Sequence, residues 1–181
     1  VTNLLEMARL ESGQTLLRPD WQNLEELVGA ARNELGARLA KHNVTVEIPP
    51  EFPLLHADAV LLERVLVNLL ENAAKYVPEG KRIGIRAQAH GDTAAIAVWD
   101  DGPGIPEGRE KAIFEKFMRG DPESPIAGVG LGLAITRAIV EAHGGTIAAA
   151  NRPEGGAQFV VQLPLKPMPE LDPEPEPESL P

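Results

Sequence analysis

The chain has 181 residues, enough for one domain of ordinary size with appendages, and its hydrophobic fraction of 43% suffices for a core made of Leu, Val, Ile and Ala, since aromatics supply only 4%. A formal net charge of −10 argues against a nucleic-acid binder that works by neutralising phosphates, and much of that charge lies in the final run from residue 169 to 181. No cysteine is present, which excludes disulfides and thiolate metal sites, and no apolar run approaches the ~20 residues that span a bilayer, so no direct membrane contact is expected.

Residues 1–12 carry Leu4, Leu5, Ala8 and Leu10 at helical spacing, with Gly13 as a stop. A helix this short is marginal alone, and with Val as the first residue it reads as the tail of a longer helix in a longer protein. Residues 14–21 are expected to be extended, with Pro19 confining pairing to an edge. Asn23 caps a predicted helix that runs to residue 41, with Leu24, Leu27, Val28, Ala31, Leu35 and Leu39 on its inner side. Val44-Thr45-Val46-Glu47-Ile48 alternates as a strand, and Pro49-Pro50 ends it. Leu54-Leu55-His56 is extended, and Asp58 caps a helix over 58–77. Residues 82–89 and 93–99 read as strands joined by a turn at His90-Gly91-Asp92. Residues 100–125 are irregular, with a helical piece near 110–117. A further amphipathic helix over 131–143 is stopped by Gly144-Gly145. Strands over 146–150 and 157–163 pair across Pro153-Glu154-Gly155-Gly156. From 165 onward Pro and Glu dominate, and a segment so poor in apolar surface is expected to stay disordered.

Because the strands come in hairpins separated by helices, the expected fold is an α/β two-layer sandwich, not a doubly wound parallel sheet. Its mixed, largely antiparallel sheet is covered by helices on one face. The helix over 58–77 organises it. Leu62, Leu66, Leu69, Leu70, Ala73 and Val77 form an apolar stripe, while Asn68, Asn72 and Lys75 fall within a narrow arc on another side. Asn is a mediocre helix former, so two of them one turn apart beside a Lys look placed for chemistry.

Three loops could complete a cavity against that helix. Asp100-Asp101-Gly102-Pro103-Gly104-Ile105 leaves a strand and breaks at once. Its carboxylate can accept from a purine amine, and Gly102 and Gly104 let the backbone approach a flat ligand. Gly128-Val129-Gly130-Leu131-Gly132-Leu133 opens a helix, where free N–H groups and the helix dipole suit phosphate. Its spacing is neither the dinucleotide fingerprint nor a P-loop. Phe114-Glu115-Lys116-Phe117-Met118-Arg119 offers two aromatic anchors and, in Arg119, a cation that could swing onto a phosphate.

In this order, the Asn helix, Asp-Gly loop, Phe pair and Gly-rich helix start resemble the catalytic, ATP-binding domain of sensor histidine kinases. Those belong to the wider group of Bergerat-fold ATPases with gyrase, the ninety-kilodalton heat-shock chaperone and the mismatch-repair ATPases. The resemblance covers residues 23–164. Leu4-Leu5-Glu6-Met7-Ala8-Arg9-Leu10-Glu11-Ser12-Gly13 is similar to the end of the second dimerisation helix that precedes such domains. Val98-Trp99-Asp100-Asp101-Gly102-Pro103-Gly104-Ile105-Pro106, the run from Val129 to Ile135, and Asn151-Arg152-Pro153-Glu154-Gly155-Gly156-Ala157 resemble the potassium-responsive Kdp type.

The resemblance implies roles. Asn72 would coordinate Mg²⁺ on the phosphates of ATP, with Asn68 in support, Lys75 on phosphate and Tyr76 flanking the nucleotide. Asp100 would accept from the adenine amine, with Gly102, Gly104 and Ile105 forming that wall. Gly128, Val129, Gly130, Leu131, Gly132 and Leu133 would form the hinge and phosphate loop of a short lid, with Arg119 at its mouth. The water-using ATPases of this fold carry a Glu one turn before the metal Asn. Here that residue is Asn68, which cannot act as a base, so transfer to a nucleophile is expected over hydrolysis. Glu71, about 100° round the helix from Asn72, reads as a surface residue.

The nucleophile implied is a histidine on a dimerisation helix. Of the four histidines, His42 and His90 look like surface turn residues, His56 lies at an extended-strand end, and His143 ends a helix, where the dipole favours a partly cationic ring. None stands in the acceptor setting of the family. The expected organisation is therefore a dimerisation-helix remnant over 1–13, the ATP-binding domain over 14–164 and a disordered acidic tail over 165–181. The implied partners are the missing dimerisation and acceptor helices and a response regulator. The segment would be a monomer from the cytoplasmic part of a homodimeric inner-membrane sensor. Alternatives are a non-catalytic nucleotide-binding signalling module and a protein-serine kinase of the same fold.

Overall fold

The computed structural model describes residues 5, 8–10, 12, 13, 16–115 and 130–169. The expected helix over 1–12 falls largely outside them, as do residues 170–181 of the expected tail.

β1 (Pro19–Gln22) pairs antiparallel with β3 (Leu55–Asp58) in a small two-stranded sheet. The pairing keeps Pro19 at an edge, where its missing N–H is harmless. Between them lie α1 (Leu24–Leu35) and β2 (Asn43–Glu47). Asn23 Oδ1 accepts from Glu25 N at 2.9 Å and Glu26 N at 3.3 Å, satisfying two free N–H groups at the start of α1. The helix ends at Leu35, six residues short of the expected end, with Gly36 (φ 42) as its C-cap, and a 3-10 turn over Gly36–Arg38 follows. Leu39 is still buried, so the apolar periodicity outlasts the α-helix that seemed to explain it.

α2 (Ala59–Tyr76) follows β3, with the Asp58 carboxylate accepting from Leu61 N. β4 (Arg82–His90), β5 (Thr93–Asp100), α3 (Gly132–Ala142), β6 (Thr146–Asn151) and β7 (Ala157–Pro164) complete the chain. The helical piece expected near 110–117 is a 3-10 turn over Ala112–Phe114.

The main sheet runs β2-β4-β5-β7-β6, with β2 parallel to β4 and every other pairing antiparallel. His90 pairs with Thr93, which leaves Gly91 (φ 58) and Asp92 as a two-residue hairpin loop. In register, Ile85 faces Val98, Ala87 faces Ile96, Ile96 faces Val161 and Val98 faces Phe159. All are buried, and they form the sheet's half of one core with α1, α2 and α3. Each fully buried Leu or Ile is worth roughly 1.5–3 kcal/mol relative to exposure. The two-layer mixed sandwich anticipated from hairpin order is the fold. Among the described residues, no helix is long and apolar enough to cross a membrane.

Candidate functional site

α2 buries Leu62, Leu66, Leu69, Leu70 and Ala73, and Val77 just beyond it, so the remaining arc is turned out of the core. Asn68 and Asn72 on that arc are half-buried, whereas Lys75 and Tyr76 are exposed. Asn68 Nδ2 donates to Gly132 O and to Thr136 Oγ1, each at 3.3 Å. Fully buried Thr136 itself donates to Gly132 O at 2.8 Å. A carbonyl can only accept, so the nitrogen of Asn68 must face α3, leaving its oxygen as an outward acceptor. A carboxylate at 68 would have no hydrogen to offer the Gly132 carbonyl. Glu71 pairs with Arg38, as suits a surface residue.

Asp100 closes β5 almost wholly buried. Its Oδ1 accepts from Gly102 N at 2.9 Å and Ala157 N at 3.3 Å. Among the described residues, nothing donates to Oδ2. Burial pushes its carboxyl above the ordinary carboxylate value, with the two N–H bonds and Arg152 opposing. Asp101 moves the other way, held below the usual range by a hydrogen bond from Arg82 and by Arg152.

The glycines here are needed for space. A Cβ at Gly102 would lie 2.9 Å from Asp100 Oδ1 and 3.0 Å from Val77 Cγ2. One at Gly104 (φ 81) would lie 2.6 Å from Asn151 Oδ1. Asn151 clamps Ile105 like a paired strand residue: its Oδ1 accepts from Ile105 N at 2.6 Å, and its Nδ2 donates to Ile105 O at 2.8 Å. The Asp100 loop is thus fastened to β6 and apposed to the C-terminal end of α2.

Of the other predicted residues, Leu131 is buried and Leu133 partly so, while Gly130 has φ 73 and Gly132 starts α3. Arg119, Gly128 and Val129 lie outside the described residues. The structure therefore brings together Asn68 with Gly132, and Asp100 with Gly102 and Val77.

Four residues escaped sequence reasoning as functional parts: Thr136, His143, Asn151 and Arg152. His143 is also a correction. Its Nδ1 donates to Ile139 O at 2.8 Å, and its Nε2 accepts from Asp58 N at 3.0 Å, a pattern that requires the neutral Nδ1–H tautomer and not a cationic ring.

A family model described as "Histidine kinase-, DNA gyrase B-, and HSP90-like ATPase" matches residues 57–167. The sensor protein KdpD of Escherichia coli (strain K12) is 52% identical over 172 residues, which cover 95% of this chain and 19% of that protein. Among solved structures, full-length ShkA in complex with AMPPNP superposes with a TM-score of 0.80 at 27% identity, covering 90% of this chain and 34% of the other. Histidine kinase ThkA in complex with response regulator protein TrrA gives a TM-score of 0.73 at 28% identity, covering 91% and 48%. The chain thus spans about a fifth of the KdpD length it matches.

Proposed function

Since the chain belongs to the histidine kinase-, DNA gyrase B- and HSP90-like ATPase family, we propose that it is the ATP-binding catalytic domain of a Kdp-type sensor histidine kinase, in potassium or osmotic-stress signalling. The observation that carries this reading is the Asp100 carboxylate, held by two N–H groups on one oxygen and, among the described residues, without a donor on the other, beside glycines where no Cβ fits. An acceptor-only group beside close-packed glycine backbone suits the exocyclic amine of adenine.

In this reading Asp100 orients the base, Gly102, Gly104 and Ile105 form its wall, and Tyr76 flanks it. Lys75 and the backbone of 130–133 contact the phosphates; Arg119, Gly128 and Val129, given the same task by the resemblance, lie outside the described residues. Asn72 offers a half-buried amide oxygen, a hard donor of the kind Mg²⁺ takes alongside phosphate and water. Among the described residues no cluster of three acidic or histidine side chains could hold a metal, so Asn72 and the triphosphate would share it. When bound, Mg²⁺ neutralises charge on the phosphates. A histidine nitrogen on a separate acceptor helix forms the bond to the γ-phosphorus, while the bond to the β–γ bridging oxygen breaks and ADP leaves. Asn68 supplies no base, which favours this transfer over water attack.

The organisation proposed with it is a dimerisation-helix remnant over 1–13, the catalytic domain over 14–164 and an acidic tail over 165–181. The partners are the acceptor helices of a homodimeric inner-membrane sensor and a response regulator. The relatives' names and the TrrA complex support the last of these.

The test is calorimetric titration of ATP with and without Mg²⁺ into the parent and Asn72→Ala. Mg²⁺ should tighten binding to the parent. The variant should lose that gain, about 1.5–3 kcal/mol for a lost charge-assisted contact, while keeping its fold. Equal affinity of Asn72→Ala for Mg-ATP would remove Asn72 from the site.

A further inference from the structure

The turn between β6 and β7 grips Asp100 from both ends. Arg152 Nη1 donates to the Asp100 main-chain oxygen at 3.0 Å, and Ala157 N donates to its carboxylate at 3.3 Å. The turn closes on itself through Arg152 N to Gly156 O at 2.9 Å and Gly155 N to Arg152 O at 3.0 Å. Gly156 lies so close to the Asp100 carbonyl that no Cβ could fit.

Arg152 does more than cap this turn. Its side chain is only 14% exposed and lies with its guanidinium 4.3 Å from the centre of the Trp99 ring. The same Nη1 meets Asp101 Oδ1 at 2.8 Å, and Arg82 Nε meets Asp101 Oδ2 at 2.6 Å. Arg82 also stands over the Trp99 ring, at 5.6 Å, and its main-chain oxygen accepts from Asp101 N at 3.0 Å. Trp99 and Asp101 alternate with Asp100 along the chain, so this knot is built on the face of β5 opposite the core. Two cations, one carboxylate and one indole there immobilise the residues on both sides of Asp100.

We infer that Arg152, acting with Asp101 and Trp99, is a positioning residue that sets the adenine selectivity of the site by fixing which oxygen of Asp100 is left free. The inference rests on Asp100 as the adenine reader. A guanidinium suits this place because one of its nitrogens donates to a carbonyl and a carboxylate while its planar group lies over the Trp99 ring; an ammonium could donate to both oxygens but has no plane to lay on the indole.

The experiment compares dissociation constants for ATP and for purine riboside triphosphate, which lacks the 6-amine, in the parent, Arg152→Lys and Asp101→Asn, with folding checked by circular dichroism. The parent should prefer ATP by about tenfold or more, the factor expected from one buried hydrogen bond. In Arg152→Lys the ratio should fall severalfold toward one, mostly through loss of ATP affinity. Asp101→Asn keeps the shape, removes the charge and should lower the ratio in the same direction, so it serves where the lysine variant does not fold. A merely structural role for Arg152 would weaken both nucleotides equally. An unchanged ratio in a folded variant overturns the inference. A parent that binds both nucleotides alike overturns the Asp100 reading instead.

Discussion

At Asp100, stability and recognition pull in opposite directions. Burial raises its carboxyl above the ordinary value, so ionisation is harder in the folded chain than in the unfolded one. The folded state then holds its proton to higher pH. Any stabilisation from this group is fully present below the unfolded carboxylate value and is lost as pH rises through the raised folded one. At neutral pH the carboxylate is kept at a cost to the fold, as befits a group that serves a ligand. Asp100→Asn retains the oxygen that accepts from Gly102 and Ala157 but turns an amide toward the recess. The variant should be at least as stable as the parent at neutral pH, with a smaller decline in stability between acidic and neutral pH. Its ATP affinity should drop more than tenfold, in line with ~1–3 kcal/mol for a mismatched buried pair. Urea titrations at both pH values, with ATP calorimetry, check both halves; unchanged ATP affinity removes Asp100 as the adenine acceptor. Asp101 carries the opposite sign: its lowered value means its contribution is lost as pH falls below the usual carboxylate range.

Among elements, α2 and α3 are stitched together twice. Near the site the bond runs from Asn68 to Gly132 and Thr136, and at the far end from Asp58 N to His143. Asp58 ties in β1 as well, because its Oδ2 accepts from Arg18 N at 3.0 Å. His143→Leu leaves the Asp58 N–H unpaired at a helix start and should cost about 1–3 kcal/mol. A chemical denaturation midpoint equal to the parent's would contradict that role. The limits of α2 were legible within a residue because its cap and apolar stripe are local signals. The end of α1 was not, since Leu39 is buried by packing after Gly36 has already ended the helix. His143 was misread for a related reason. The dipole argument uses only its own helix, while the group that decides its tautomer comes from Asp58, 85 residues away in sequence. Arg152 was visible only as part of a family-like run, because a guanidinium's partners across a sheet leave no periodic trace.

For the whole molecule, hairpin order was enough to imply the layered fold, and the Asn helix, Asp-Gly loop, Phe pair and Gly-rich start, taken in order, carried the resemblance that implied a nucleotide. What sequence could not supply was how the loops are locked: Asn151 on Ile105, Arg152 on Asp100, Thr136 with Asn68. The central claim is that this fold delivers the γ-phosphoryl of ATP to a histidine outside the chain. None of its own histidines is expected to act as the acceptor; both nitrogens of His143 are already engaged, and the His56 ring lies tilted against Trp21 with ring centres 4.9 Å apart. General-base help is worth roughly 10²–10⁴-fold, so with Asn68 in that position water attack should be close to background. The most direct measurement is incubation of the chain with γ-labelled Mg-ATP, with and without a separately supplied dimerisation and acceptor domain of a Kdp-type kinase. The expected result is acid-labile label on the supplied domain alone, with no label on the chain and no steady phosphate release. Acid-stable label on the supplied domain, multi-turnover phosphate release by the isolated chain, or no transfer despite tight ATP binding would contradict it.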